Sequence, residues 1–364
     1  MEDQGKQRLV SLDALRGADL FWIMGGKAFV VALASATQWA PLVWIESQCH
    51  HVEWHGFLFY DLIFPLFLFL AGVSMPISFA KRLAAGASQR ELSWHAIRRG
   101  SALVLLGLIY NGLLAFDWEN LRCASVLGRI GLAWMLAALL VIWLSRRAQI
   151  LCFTTVLLGY WAALTLVPVP DSGVASLEAG QTFADWFDRQ YLPGRLYHGV
   201  RDPEGLLSTL PAVCTALAGV FAGRWLSRRD KTEHRRILGL VAFGLLALAV
   251  GKTWDLVFPF NKNLWSSSFV LWCAGWSLLF LALFYWVIDV RGWKRWCGPL
   301  VVFGANSILI YMLSAFVDFR AITEFCIGHA SPGLLHPVFL PAGVLTLQWL
   351  LLRWLYQRRL FLRV

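Results

Sequence analysis

The sequence has few charged residues. Only 15% of its 364 residues are Asp, Glu, Lys or Arg, whereas soluble globular domains have about 25%. This shortage excludes an ordinary soluble domain. The hydrophobic content of 58% and the mean hydropathy of +0.60 point the same way. We therefore predict an all-α, polytopic membrane helix bundle in the lipid bilayer.

Three further features are missing. No small-residue cleavage site follows the start "MEDQGKQRLVSLDALRG", so the first apolar run is expected to be retained rather than removed as a signal peptide. No linker or low-complexity stretch divides the chain, which predicts a single transmembrane domain over 1–364. No internal repeat is visible, although repeats mark many transporters.

The net charge of +10 does not indicate a nucleic-acid partner. The basic residues stand in short clusters between apolar runs, which is typical of topology signals and not of a binding face. The seven cysteines are scattered, and Cys49, Cys123 and Cys326 fall in predicted outer loops. A disulfide between two of these three is left open.

Ten stretches are apolar enough to cross a bilayer, which takes about 20 residues in a helix. They lie near 12–35, 57–80, 96–116, 126–145, 148–168, 205–226, 236–257, 266–288, 298–317 and 337–357. Most of the 32 Lys and Arg residues lie in the N-terminus, the loops after even-numbered spans and the C-terminal tail. By the positive-inside rule, both termini are predicted to be cytoplasmic.

The longest predicted outer loop, 169–204, contains "QTFADWFDRQYL". Its apolar residues Phe183, Trp186, Phe187 and Tyr191 recur at helical spacing. This spacing predicts an amphipathic helix at the outer interface, acting either as a membrane-surface anchor or as a lid over a site.

Ionisable residues inside spans are costly, so they usually pair or line a cavity. Asp13, Arg16 and Asp19 stand three apart on the first span, where Arg16 is expected to bridge both carboxylates. A second group shares the outer half of the bilayer under the predicted orientation. It comprises Asp61, Asn111, Arg129, Lys252 and Asp255, with Asn306 near the middle of its span. We interpret this group as one polar cavity.

Two outer loops add polar groups near that region. The first carries Asp202 and Glu204, and the second carries Asn261, Lys262, Asn263 and Trp265. Carboxylates and amides beside aromatic rings suit a polyhydroxylated, cationic ligand such as an amino sugar.

Three histidines, His50, His51 and His55, crowd the outer mouth of the second predicted span. They allow three interpretations: solvated loop residues, metal ligands, or catalytic groups that accept a proton near neutral pH. No further histidine or cysteine pair has the spacing of a zinc site, so no metal is expected.

Six blocks occur in order along the whole chain: "RLVSLDALRG", "HVEWHGFLFYDLIFPLFLFLAG", "VLGRIGLAW", "DPEGLLSTLPA", "PFNKNLWSSSFV" and "ANSILIYM". Together they resemble the transmembrane acyltransferase family of heparan-alpha-glucosaminide N-acetyltransferase and its bacterial relatives. The resemblance implies binding of cytoplasmic acetyl-CoA and transfer of acetyl to the amine of a glucosamine-type sugar on the other side. It also implies an essential histidine on that side, which falls on His51, with Trp54, Gly56 and Asp61 following in register.

The chain departs from the family pattern in two places. Lys27 stands where the lysosomal enzyme has an active-site asparagine, and only about 11 residues precede the first span. A small amino sugar is therefore the expected acceptor. The expected location is a bacterial cytoplasmic membrane, with acetyl transferred across it. Whether the protein forms a homodimer is left open.

These observations lead to a hypothesis for the site. His51 is expected to take the amine proton or to carry acetyl as a nucleophile. Asp61 would orient His51 or the acceptor, and Arg129 would hold Asp61 or stabilise the thioester oxyanion. The substrate-binding residues would be Trp54, Asp202, Glu204, Lys252, Asp255, Asn261, Lys262, Asn263, Trp265 and Asn306. Asp13, Arg16 and Lys27 would bind the CoA side. The alternative is a sugar or amino-sugar transporter that uses the same cavity.

Overall fold

A computed structural model describes residues 9–228, 230–327 and 336–362. Helices dominate these residues, and no named β-strand occurs among them, which confirms the all-α prediction. In chain order the helices are α1 (Val10–Phe21), α2 (Lys27–Thr37), α3 (Ala40–Gln48), α4 (Ile63–Ala84), α5 (Gln89–Tyr110), α6 (Val126–Trp143), α7 (Arg146–Leu166), α8 (Phe183–Tyr191), α9 (Thr209–Leu226), α10 (Glu233–Asp255), α11 (Ser267–Phe284), α12 (Gly298–Ala305), α13 (Ser307–Phe316), α14 (Phe319–Ile327) and α15 (His336–Gln357).

Eight helical segments of the described chain are long and apolar enough to cross a membrane, and the pair α12–α13, bent by 69°, would be a ninth. The unbent segments are Val10–Thr37, Phe59–Ala84, Val126–Trp143, Arg146–Leu166, Thr209–Leu226, Glu233–Asp255, Ser267–Val290 and Pro337–Gln357. The third predicted span, 96–116, corresponds to α5, which begins earlier and carries Arg98 and Arg99 near its middle. The multi-pass prediction holds, but the count of ten is not confirmed by length and composition.

The first span is broken in the middle. A π turn, Trp22–Gly26, separates α1 from α2, and Gly25 has a φ of 140° that L side chains rarely adopt. A Cβ on Gly26 would lie 2.5 Å from the Phe21 ring. Glycine at both positions therefore permits the kink, and the kink places Lys27 at the start of α2.

The chain divides into two compact units. Of the described residues, the first unit holds those within Met1–His51, Leu58–Ile63 and Phe280–Arg363, and the second holds those within Val52–Phe57 and Phe64–Leu279. The sequence alone suggested one domain, and that remains a prediction.

The first unit is held by close backbone packing of α1 against α12. A Cβ on Gly17 would lie 1.7 Å from the Leu300 carbonyl oxygen, and one on Gly304 would lie 2.1 Å from the Asp13 carbonyl oxygen. Small residues at both crossing points let the two backbones touch, as is common between membrane helices. A core around Leu20, Met24, Phe303 and other apolar side chains fills the rest of this unit.

The predicted bridge from Arg16 to Asp13 and Asp19 on α1 forms only with Asp13. Arg16 lies 3.7 Å from Asp13. Asp19 is 2% exposed, and neither of its carboxylate oxygens has a hydrogen-bond partner among the residues that the structure describes. The three residues do lie on one helix, as predicted, but Arg16 does not bridge both carboxylates.

In the second unit, α8 confirms the helix predicted from the spacing of aromatic residues, and its role as an anchor or a lid remains a prediction. Its Asp185 and Asp188 are 4% and 2% exposed, whereas Tyr191 is 60% exposed. Thr182 caps the helix and shares a capping box with Asp185. The polar side of α8 is therefore the buried side.

Candidate active site

His51 and Asp61 form a close pair in the first unit. The Nδ1 atom of His51 lies 2.6 Å from Oδ1 of Asp61. The Asp61 side chain is 1% exposed, while the His51 side chain is 45% exposed. A carboxylate only accepts hydrogen bonds, so the Nδ1 nitrogen carries the proton in this contact, and in the neutral ring the lone pair lies on Nε2. The pair is a buried carboxylate that orients a solvent-accessible imidazole.

The local chain positions both partners. The segment after α3 leads into a short 3-10 turn, Phe59–Leu62, directly before α4. Within that turn, Oδ2 of Asp61 accepts a hydrogen bond of 3.1 Å from the Leu58 backbone N–H. One carboxylate oxygen thus stabilises the start of the helix while the other holds His51. The family resemblance placed His51 and Asp61 in one register, and the structure brings the two side chains into contact.

Tyr60 and Lys27 lie beside this pair. The His51 and Tyr60 ring centroids are 4.9 Å apart, and Nζ of Lys27 lies 4.9 Å from the Tyr60 ring centroid. The Lys27 ammonium is therefore within about 10 Å of the His51 ring, with an aromatic face between them. Tyr60 was not predicted from the sequence, although its position next to Asp61 could have suggested it.

The other two histidines have different partners. His50 pairs with Glu46 at 3.0 Å, and both side chains are solvent-accessible. His55 belongs to the second unit, where its Nδ1 lies 3.4 Å from Nδ2 of Asn261. Burial lowers the pKa of His55, while the carboxylates of Glu178 and Asp255 act in the opposite direction. Of the three, His51 is the one paired with a buried carboxylate.

The predicted sugar-binding loops form an aromatic and amide cluster in the second unit. Trp54 Nε1 donates a hydrogen bond of 2.7 Å to the Leu177 carbonyl oxygen, and the Arg201 guanidinium lies 4.8 Å from the Trp54 ring. Asn261 is fully buried, and its Oδ1 accepts from the Leu264 N–H. Lys262 and Asn263 are half-buried beside it.

Three predicted substrate residues are engaged by the protein itself. Lys252 Nζ lies 2.8 Å from Asp255 Oδ2, and Asp255 Oδ1 accepts from the Phe260 N–H at 2.7 Å. Trp265 is fully buried and donates from Nε1 to Oγ1 of Thr215 at 3.0 Å. These contacts shape the loop, and a direct substrate role for these residues remains a prediction.

Arg129 has partners other than the one expected. Its Nη2 donates to the Ser208 hydroxyl and, at 3.3 Å, to the Gly205 carbonyl oxygen, and its guanidinium lies 5.1 Å from the Trp265 ring. The side chain is 2% exposed, and no described carboxylate forms an ion pair with it. Within the second unit the alcohol, the carbonyl and the indole face hold the cation, and the Asp61–Arg129 pair remains a prediction.

Asp202 and Glu204 are bound by Arg122, which was not predicted from the sequence. The Arg122 Nη2 atom contacts Oδ1 of Asp202 at 2.6 Å and also contacts the Glu204 carboxylate. Its guanidinium stacks on Tyr197 with 4.7 Å to the ring centroid. A lone arginine in the segment 117–125, which has no other basic residue, was the available signal. The two carboxylates hold the loop together through Arg122 and are largely buried from solvent.

Asn111 and Asn306 also serve backbone contacts. Asn111 Nδ2 donates to the carbonyl oxygens of Arg122 and Ala124. Asn306 breaks the helix between α12 and α13, donates to the Leu360 carbonyl oxygen at 2.8 Å and accepts from the Leu362 N–H at 3.0 Å. Asn306 therefore binds the C-terminal tail, a contact that depth along its span did not predict.

Metal ligation and a disulfide have no candidate in the ranges that the structure describes. No group of three His, Cys, Asp or Glu side chains there could hold a metal ion. Cys49, Cys123 and Cys326 are all present as free thiols, so the disulfide left open from the sequence does not form.

Comparison with known proteins adds an independent observation. No protein-family model matches the chain. The chain is 29% identical to heparan-alpha-glucosaminide N-acetyltransferase of Homo sapiens over 321 residues, which covers 72% of this chain and 48% of the human protein. The Mus musculus protein of the same name gives the same identity and coverage. This similarity supports membership of that acyltransferase family. The chain spans about half the length of these relatives, and the histidine register that resembles the family falls on the residue paired with Asp61.

Proposed function

We propose that the protein is a membrane acetyltransferase. It would move acetyl from acetyl-CoA on the cytoplasmic side to the amine of a small, glucosamine-type amino sugar on the other side of a bacterial cytoplasmic membrane. The observation that carries the proposal is the contact of 2.6 Å between His51 and the buried Asp61. Similarity to N-acetyltransferases over 72% of the chain supports the reaction class.

The pair fits general-base chemistry. With the proton on Nδ1 held by Asp61, the Nε2 lone pair of His51 can accept the proton that the acceptor amine loses as it attacks the thioester carbonyl. The C–S bond then breaks, and the CoA thiolate leaves and takes up a proton. The same geometry would also suit brief transfer of acetyl to Nε2, followed by attack of the amine.

Lys27 supplies the positive charge in this region. Its ammonium lies on the Tyr60 ring beside His51. A cation at this position would stabilise the negative charge that develops on the carbonyl oxygen. Lys27 takes over the oxyanion role that was expected of Arg129, because Arg129 is bound to Ser208 and Gly205. Asp13 and Arg16 retain a proposed role on the CoA side.

The acceptor side is proposed to include Trp54, Lys262 and Asn263. An indole face suits the apolar face of a sugar ring, and the amide suits its hydroxyls. Arg201 lies on that indole, which gives the cluster a fixed shape. Lys262 and Asn263 are only half-buried, so a ligand can reach them.

We also propose ten membrane crossings with both termini in the cytoplasm. Val10, Gly298 and Gln357 line one cavity, so α1 starts, α12 starts and α15 ends at the same side. With α15 crossing and α14 too short to do so, the bent pair α12–α13 would cross as a broken span. Seven of the unbent candidate segments lie between Val10 and Gly298, and an even number is required. The 22-residue helix α5 supplies the eighth crossing.

A reconstitution experiment tests the proposed function. Purified protein in sealed proteoliposomes is given labelled acetyl-CoA on one face and glucosamine on the other, and the products are analysed by mass spectrometry. The proposal predicts N-acetylated sugar and free CoA in equal amounts. Glucosamine that crosses the membrane unchanged, with acetyl-CoA intact, would instead establish the transporter.

A further inference from the structure

A cavity of about 410 Å³ lies in the first unit, away from the His51 pair in sequence and in its lining residues. Its walls come from the start of α1, the start of α12 and the end of α15, and they include Val10, Val301, Val302 and Tyr356. Two basic residues, Lys294 and Arg353, also line it. A cavity of this size holds a small organic group, and its mixture of apolar wall and cationic side chains fits an amphiphilic anion.

The two cations lack an acidic partner in the described chain. Arg353 stacks on Trp349, with 5.1 Å to the ring centroid, and has no hydrogen bond or ion pair to a described residue. Lys294 likewise forms no ion pair with any of the described side chains. The acidic group close by, Asp289, is occupied, since its carboxylate accepts from the Val10 and Ser11 N–H groups at 3.2 Å. Lys294 and Arg353 are the charged side chains among the residues that line the cavity, so its lining is positive.

The helix that carries Arg353 is only partly covered by the rest of the protein. Only 17% of the apolar window of Pro337–Gln357 is buried within the protein. Trp354 is 49% exposed on the same helix end, where an indole commonly marks the membrane–water interface. A ligand can thus enter this cavity sideways from the membrane as well as from water.

We infer that this cavity binds the headgroup of an anionic phospholipid. The lipid phosphate would contact Lys294 and Arg353, and the upper acyl chains would lie on the apolar wall formed by Val301 and Tyr356. Basic pockets between transmembrane helices recognise lipid headgroups in this way. The phosphates of CoA share the phosphate chemistry, but the apolar wall and the partly uncovered position of α15 favour the lipid.

Native mass spectrometry of the purified full chain in detergent tests the inference. Phosphatidylglycerol is titrated into wild type and into the double variant Lys294→Gln/Arg353→Gln. Wild type is expected to bind one lipid, with a preference over phosphatidylcholine. Two lost cations should weaken phosphatidylglycerol binding about 30-fold, since each contributes about 1 kcal/mol at an anionic lipid surface.

Two more variants separate the site from general surface charge. Arg358 stacks on Trp354 as Arg353 stacks on Trp349, but it does not line the cavity, so Arg358→Gln should bind lipid like wild type. Gly298 lines the cavity, and a Cβ there meets no atom within 4 Å. Gly298→Leu should therefore fill the space without disturbing the helix and should also reduce lipid binding.

Three results would overturn the inference. Equal binding of phosphatidylglycerol to wild type and the double variant would show that the cavity is not the lipid site. Equal binding of phosphatidylcholine and phosphatidylglycerol to wild type would show that charge is not recognised. Displacement of the lipid from wild type by free CoA would assign the cavity to the acyl donor.

Discussion

Both units bury carboxylates, but they treat them differently. In the second unit, Asp202 is fixed by the guanidinium of Arg122, whose side chain is 17% exposed. In the first unit, Asp61 is equally buried, but its partner is the imidazole of His51, which is 45% exposed. A permanent, enclosed cation locks a loop. A titratable, accessible ring leaves a reactive nitrogen at the surface of the site.

The difference separates structural from chemical use of the same residue type. Arginine stays protonated at any physiological pH, so its pairs with Asp202 and Glu204 do not change during a reaction. Histidine can gain and lose a proton near neutral pH. On this account, the carboxylates of Asp202 and Glu204 stabilise the fold, and the carboxylate of the 3-10 turn is the one that the proposed catalysis would use.

The largest expected effect on stability comes from Arg122. The Arg122→Leu variant leaves the buried carboxylates of Asp202 and Glu204 without their cation, and this should lower the unfolding free energy by about 3–5 kcal/mol. Thermal unfolding in detergent measures the loss. The control is Arg228→Leu, because Arg228 and its partner Asp230 are both exposed. Equal melting temperatures for the two variants would mean that the loop network is not structural.

A smaller effect is expected where α1 meets α12. A Cβ at Gly17 would lie 1.7 Å from a backbone oxygen of Leu300, so Gly17→Ala must push the helices apart. We expect a loss of about 1–3 kcal/mol in unfolding free energy. Gly159 is a matched helical control with no atom near its added Cβ, and Gly159→Ala should be neutral or slightly stabilising. A neutral Gly17→Ala would show that close backbone contact does not hold the first unit.

The smallest effect concerns pH and Asp188. Burial raises the pKa of Asp188 to about 6, although the Leu206 and Leu207 N–H groups and Arg129 act in the opposite direction. Because the folded-state pKa lies above the unfolded value of about 3.9, its stabilising contribution is full below pH 4 and is lost as pH rises through 6. Unfolding free energy should therefore fall by about 1 kcal/mol between pH 5 and 7.5.

The variant Asp188→Asn isolates this contribution. Its amide oxygen can still accept from the Leu206 N–H, as the carboxylate does at 2.8 Å, but it does not titrate. The difference in unfolding free energy between wild type and this variant should fall with pH between 5 and 7.5, because only wild type titrates at this position. Identical slopes in both proteins would mean that Asp188 does not titrate in this range.

Local patterns in the sequence predicted much of the fold. The predicted spans 126–145 and 337–357 agree closely with Val126–Trp143 and Pro337–Gln357, because hydrophobic length is a local property. The aromatic spacing at 183–191 predicted α8, and the hypothesis that Asp61 orients His51 or the acceptor included the contact that the structure has. A short segment has few possible conformations, so contacts between residues close in sequence are easier to predict.

Long-range polar partners could not be predicted in the same way. Arg122 and Asp202 are 80 residues apart, and no pattern in either loop identifies its partner in the other loop. The buried face of α8 depends on N–H donors of Leu206 and Leu207, which aromatic spacing does not record. Arg129 was paired with Asp61 because both were expected at one depth. Depth did not reveal that Ser208 and Gly205 would take that cation.

The most direct test compares His51→Ala with His50→Ala in the acetyl-transfer assay. The two residues are neighbours, and each has a carboxylate partner, but Glu46 is partly exposed, whereas Asp61 is buried. His51→Ala should lower transfer by at least about 100-fold, the usual size of a lost general base. The buried Asp61 loses one donor, so unfolding free energy should fall by about 1–3 kcal/mol, and transfer is compared per folded protein. His50→Ala should keep wild-type transfer. Wild-type transfer by His51→Ala would contradict the account.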